Sequence, residues 1–135
     1  KVPALTVALI LALPACAIRD AYVRAQQVRT YTDLQTIVAR IEALRVGRRL
    51  VLSRSRVQEL IAGVANGRDA WGHRFGFFAR GASEDLSYVL ISYGSDGEPD
   101  MAEEEYFSLP ESRVHGDARR DLVFRDGQPV TRAGK

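Results

Sequence analysis

Asp69-Ala70-Trp71-Gly72, an aromatic-rich segment over residues 73–80, a Leu86-Ser87-Tyr88-Val89-Leu90-Ile91 segment and then Ser92-Tyr93-Gly94-Ser95-Asp96-Gly97 form the stretch on which the fold turns. Phe75, Phe77 and Phe78 in the first segment, and Tyr88, Val89, Ile91 and Tyr93 in the second, are residue types that favour strands. The five residues 81–85 between them begin with glycine, which predicts an antiparallel hairpin. Leu86, Tyr88, Leu90 and Ser92 fall on one face of the second strand, and Ser87, Val89, Ile91 and Tyr93 on the other. Neither face is wholly polar. The hairpin is therefore expected to pack on a helix on one side and to be partly covered on the other.

Upstream, Ile18, Ala21/Tyr22, Ala25, Val28, Tyr31, Leu34, Ile37/Val38, Ile41 and Leu44 recur in steps of three and four, the period of one helix face. No glycine or proline falls between Cys16 and Gly47, so one helix over residues 18–46 is predicted, ending at Gly47. At about 1.5 Å per residue it would span roughly 45 Å, and its N-terminal third is expected to project. Ser55-Arg56-Val57-Gln58 has capping-box spacing, and Val57, Leu60, Ile61 and Val64 predict a short second helix ending at Asn66-Gly67. Downstream, residues 94–120 show little periodicity and read as a long acidic loop. Asp121-Leu122-Val123-Phe124-Arg125 reads as a third strand with Asp126-Gly127 as its turn. The fold class is α+β: a long amphipathic helix on a small antiparallel sheet of about three strands.

The 135 residues suffice for one domain, and a net charge of +2 implies no polyanionic partner such as nucleic acid. One cysteine, Cys16, excludes an internal disulfide and a cysteine-based zinc site. Its position is informative. Lys1 is followed by an uncharged apolar run over residues 2–15, too short to span a bilayer, which needs about 20 apolar residues. A positive start, an apolar centre and small residues before a break describe a secretory signal peptide. Leu13-Pro14-Ala15-Cys16 resembles a lipobox, with Leu three before and a small residue one before a cysteine that becomes lipidated. The expectation is a signal peptide over residues 1–15, cleavage before Cys16, and a lipid-anchored domain over residues 16–135. The plainer alternative is an ordinary signal peptide with a chance cysteine. Ala17 rather than Asp after the cysteine favours the outer membrane, facing the periplasm.

The order of these pieces resembles the periplasmic part of the G-type major pseudopilin of type II secretion. In that family an Asp-Pro-Trp-Gly-like turn leads into the hairpin, a Ser-x-Gly-x-Asp-Gly loop leaves it, and a closing strand begins with Asp. The matching residues are Asp69, Trp71 and Gly72, then Ser92, Gly94, Asp96 and Gly97, then Asp121 and Leu122. The similarity covers residues 24–125. It implies a non-enzymatic structural and interaction protein of the bacterial cell envelope, with other pseudopilins or secretion-machine proteins as partners. It also implies calcium, held by the Tyr93 carbonyl, by Asp96, and by a later ligand among Asp100, Asp117 and Asp121. The alternative for these acids is a solvated surface loop with Asp96-Gly97 as a plain turn. Two departures stand out: the prepilin leader and its apolar helix with a glutamate at the fifth position are not matched, and the acidic loop is expanded. The second expectation is accordingly a lipid-anchored periplasmic binding module that reuses the fold outside the machine.

Trp71 is expected to close the core where the hairpin meets the long helix, with Gly72 bending the backbone. His73 and His115 have no nucleophile or metal-ligand spacing around them, so no catalytic residue and no small-molecule substrate is expected. Arg48, Arg49, Arg54 and Arg56 read as a solvated basic face, with anionic headgroups near a lipid anchor as the alternative.

Overall fold

A computed structural model describes residues 4–47, 49–50, 53–81, 86–110, 113–115 and 120–133. Helix α1 (Ala4–Glu42) runs on through Pro14, where one backbone hydrogen bond must be missing. Its last turn tightens: Ala43 N–H donates to the Ala39 carbonyl at 3.0 Å, but Leu44 N–H reaches only Ile41, at 3.1 Å. The helix thus ends at Glu42, short of the predicted Val46. Gly47 (φ +63°) sits in the turn between β1 (Arg45–Val46) and β2 (Arg49–Leu50) rather than capping α1.

Helix α2 (Arg54–Ala62) starts before the expected Ser55, because Ser53 is the residue with extended backbone and its Oγ accepts from Arg56 N–H at 3.2 Å. It closes at Gly63, and a 3₁₀ turn (Ala65–Gly67) leads toward Asp69. The remaining elements are β3 (Gly76–Arg80), β4 (Ser87–Ser92), α3 (Glu103–Ser108), β5 (Arg113–His115), β6 (Leu122–Arg125), β7 (Gln128–Pro129) and β8 (Thr131–Ala133).

The fold is α+β, with four antiparallel strands in the order β3-β4-β6-β7. Leu90 on the central β4 lies opposite Phe77 on one side and Phe124 on the other. The fourth strand exceeds the expected three because the Asp126-Gly127 turn folds Pro129 back against Phe124, at an edge where a missing N–H does no harm. β5 and β8 form a separate parallel pair.

Alternation along β4 and β6 feeds two cores. Tyr88, Leu90, Leu122 and Phe124 pack with Leu34, Ile37, Val38 and Ile41 of α1 and with Val57 and Ile61 of α2. Val89, Ile91 and Val123 on the other face pack with Tyr106, Leu109 and Val130. The buried aromatic of the Asp69 turn is Phe75; Trp71 is half-buried and belongs to neither cluster, so core closure does not fall to its ring.

The apolar positions read along α1 do not keep to one face but drift round the helix. Its buried positions are Gln27, Thr30, Leu34, Ile37, Val38 and Ile41, whereas Ile18, Tyr22 and Val28 are 69%, 63% and 56% exposed. At about 100° per residue, Val28 and Leu34 lie about 120° apart round the helix. From Ala15 to Gln26 no residue of α1 is buried. No helix among the described residues is long and apolar enough to cross a membrane.

Candidate functional site

The two halves of the 69–97 stretch meet in space, and Asp69 joins them. Its carboxylate is 6% exposed. Oδ1 accepts from the N–H groups of Trp71 (3.1 Å) and His73 (2.9 Å), and Oδ2 accepts from the Ser92 hydroxyl at 2.9 Å. The backbone closes the same turn: Gly72 N–H donates to Asp69 O at 3.0 Å, and Asp69 N–H to His73 O at 2.8 Å. Gly72 has φ +86°, the bend expected of it. Thr30 of α1 ties the turn to the helix by accepting from Ala70 N–H at 3.1 Å.

His73 completes the clip. Its Nε2 lies 3.3 Å from the Ser95 carbonyl, and its ring covers Gly97 so closely that a Cβ there would sit 2.7 Å from the imidazole. With φ +69° as well, position 97 admits only glycine without strain. Both halves of the motif thus have a structural reason. The aspartate orders the first turn, and the serine and second glycine receive it.

The acidic loop is built differently. Asp121 is 2% exposed. Its Oδ2 accepts from Asp100 N–H at 3.0 Å and from the Tyr106 hydroxyl, while its own N–H donates to Asp100 Oδ2 at 2.8 Å. Burial raises the Asp121 carboxyl to about 6, against the lowering pull of its donors, and the nearby charges of Asp100 and Asp96 push it further up. Burial likewise raises the Tyr106 and Tyr93 hydroxyls. Helix α3 anchors the loop on the sheet. Arg125 Nη1 donates to the carbonyls of Tyr106 (3.2 Å), Phe107 (3.2 Å) and Leu109 (2.7 Å), which satisfies the end of the helix.

Of the expected calcium ligands, Asp100 and Asp121 are side by side. Asp96 is exposed, and its Oδ1 accepts from Glu98 N–H at 3.0 Å, an Asx turn. Tyr93 and Gly94 lie on the same loop, and Asp117 falls outside the described residues. Among the described residues no three His, Cys, Asp or Glu side chains converge as a metal site requires. Cys16 is a free, exposed thiol on α1. The imidazole of His73 is a structural strut here, and β5 contains His115.

Sequence reasoning missed α3 and the parts played by Tyr106, Arg125 and Thr30. The signal for α3 was present: Glu103, Glu104 and Glu105 suit a first helical turn, Tyr106 and Leu109 are three apart, and Pro110 follows. No family model, curated protein or solved structure matches the chain.

Proposed function

We propose that the protein is a pseudopilin-like structural and interaction component of the bacterial cell envelope, associated with type II secretion or a related pilus-like machine. The carrying observation is the division of α1. Its C-terminal part supplies Leu34, Ile37, Val38 and Ile41 to the domain core, while Ile18, Tyr22 and Val28, nearer its N-terminus, face the outside. A helix that exposes apolar side chains suits docking against helices of neighbouring subunits. Thr32 and Thr36 extend the outer face and turn their hydroxyls back onto the Val28 and Thr32 carbonyls, both at 3.0 Å, while the exposed Arg29 places a positive charge on the same face. The non-enzymatic reading rests on the site itself, where Asp69, Ser92 and His73 are occupied in holding the fold.

Calcium belongs to the same proposal. The Tyr93 carbonyl and Asp96 would hold it with one later ligand among Asp100, Asp117 and Asp121, and its charge would offset the repulsion that Asp121 feels. Lipidation at Cys16 would place the domain at the outer membrane, facing the periplasm. In a second reading the protein is a lipid-anchored binding module outside the machine, and the charged residues Arg19, Asp20 and Arg24 just after Cys16 favour it over a filament core.

The test is a chromosomal deletion in the source bacterium, followed by measurement of secreted protein and of pseudopilin co-purification. Loss of secretion together with recovery of other pseudopilins on the tagged protein is expected. Normal secretion with no pseudopilin recovered would leave the binding-module reading and remove the first.

A further inference from the structure

Beside the Asp69 turn lies a cleft of about 300 Å³, bordered by Gln58, Asn66, Arg68, Arg74, Ile61 and Phe75. Arg68 and Arg74 face each other across an isolated antiparallel bridge. Its hydrogen bonds run outside the pair, from Phe75 N–H to Gly67 O (3.2 Å) and from Asp69 N–H to His73 O (2.8 Å). That pattern marks a non-hydrogen-bonded pair, in which Cα atoms approach to about 4.5 Å and the side chains leave on one face. Like charges directly opposite one another at this spacing destabilise a sheet. Among the described residues neither guanidinium is ion-paired, and no carboxylate borders the cleft.

The surroundings add donors. Arg68 commits Nη1 to the Gly72 carbonyl at 2.7 Å, which holds its fork in place and leaves further N–H groups. Gln58 and Asn66, whose side chains carry amide donors, line the same space. Asn66 is brought there by an uncommon backbone, since Ala65 (φ +49°) and Asn66 (φ +57°) are consecutive non-glycine residues in the left-handed region. For alanine that conformation is strained, and strain of this kind persists where the surroundings require it.

We infer that the Arg68–Arg74 cleft is an oxyanion site that takes a phosphate group, gripped by two guanidinium forks and the Gln58 and Asn66 amides. A tetrahedral phosphate offers several acceptor oxygens and at least one negative charge, which matches paired forks and turns the like-charge repulsion into attraction. Free phosphate and the phosphodiester of a lipid headgroup share this chemistry. The site is independent of the pseudopilin-like reading, and nothing in it requires assembly.

The experiment uses the full chain carrying Cys16→Ser, so that no acyl chain holds it to lipid. Inorganic phosphate is titrated at constant ionic strength, with chloride as the control, while the side-chain Nε–H signals of Arg68 and Arg74 and the backbone amides of Asn66 and Gly67 are followed by NMR. In parallel, co-sedimentation is measured with phosphatidylcholine vesicles and with vesicles containing phosphatidylglycerol at one part in three. Saturable shifts confined to these residues, reduced at least tenfold in affinity by Arg74→Gln and only partly by Arg74→Lys, support the site. Saturation by phosphate without vesicle binding assigns the ligand to soluble phosphate. Binding to the phosphatidylglycerol vesicles, lost in Arg74→Gln, assigns it to a headgroup. Unsaturated shifts together with vesicle binding unchanged in Arg74→Gln would overturn the proposal.

Discussion

Asp69 and Asp121 are both buried aspartates that fasten a loop to the sheet, yet they are fastened by opposite electrostatics. Asp69 faces only donors: two backbone N–H groups and the Ser92 hydroxyl. Asp121 also has donors, in Asp100 N–H and the Tyr106 hydroxyl, but it lies within the fields of Asp96 and Asp100. The first is a clip held by donors alone. The second holds negative charge against negative charge, so pH or a cation can tune it. A buried carboxylate's role depends on whether its surroundings supply donors alone or donors plus like charge.

The largest expected effect tests the first clip. Asp69→Ala strips the acceptors from Trp71 N–H, His73 N–H and Ser92 Oγ and should destabilise by about 3 kcal/mol in urea unfolding. Asp121→Ala loses acceptors too but also removes repulsion, and should destabilise less at pH 7. Equal losses would break the distinction. Next is Gly97→Ala, expected to lower stability by about 2 kcal/mol from its positive φ and the overlying imidazole. Adding His73→Ala should recover the steric part alone.

The pH dependence sharpens the contrast further. The folded carboxyl of Asp121 lies at about 6, above the ordinary value of 3.8. Between those values the folded state holds the proton more tightly than the unfolded chain, so this contribution is full below about pH 4 and lost as pH rises through about 6. With EDTA present, unfolding free energy should fall by about 1 kcal/mol between pH 5 and pH 7.5. Asp121→Asn should flatten that slope. The smallest effect is the calcium shift. At 1 mM, a site of the weak extracellular kind adds about 1 kcal/mol, or about 4 °C in Tm, which EDTA should reverse and Asp121→Asn abolish. An unchanged melting point would remove calcium from the account.

Much of the fold could be read from local pattern. The β4 alternation already required cover on both sides, and the structure supplies it with α1 and α2 on one face and α3 on the other. What escaped was set by distance along the chain. Tyr106 reaches Asp121, Arg125 caps α3, and Thr30 meets Ala70, and no local spacing announces such pairs. The α1 stripe misled because steps of three and four do not fix phase. Each step of three falls about 60° short of a full turn, so the positions drift from the exposed Tyr22 and Val28 to the buried Leu34 and Ile41. Ser53 displaced Ser55 as the cap for a related reason, since either hydroxyl could serve and the backbone decided.

The central claim is that the outer face of α1 docks a neighbouring subunit. It is tested most directly by placing a photo-crosslinking residue at Tyr22 in the native envelope, with one at Gln58 on α2 as the control. The account predicts discrete adducts with pseudopilin subunits from position 22, none with them from position 58, and loss of the adducts in Val28→Arg without a change in melting temperature. Illumination that yields no pseudopilin adduct from position 22, with the protein folded and in the envelope, would contradict it.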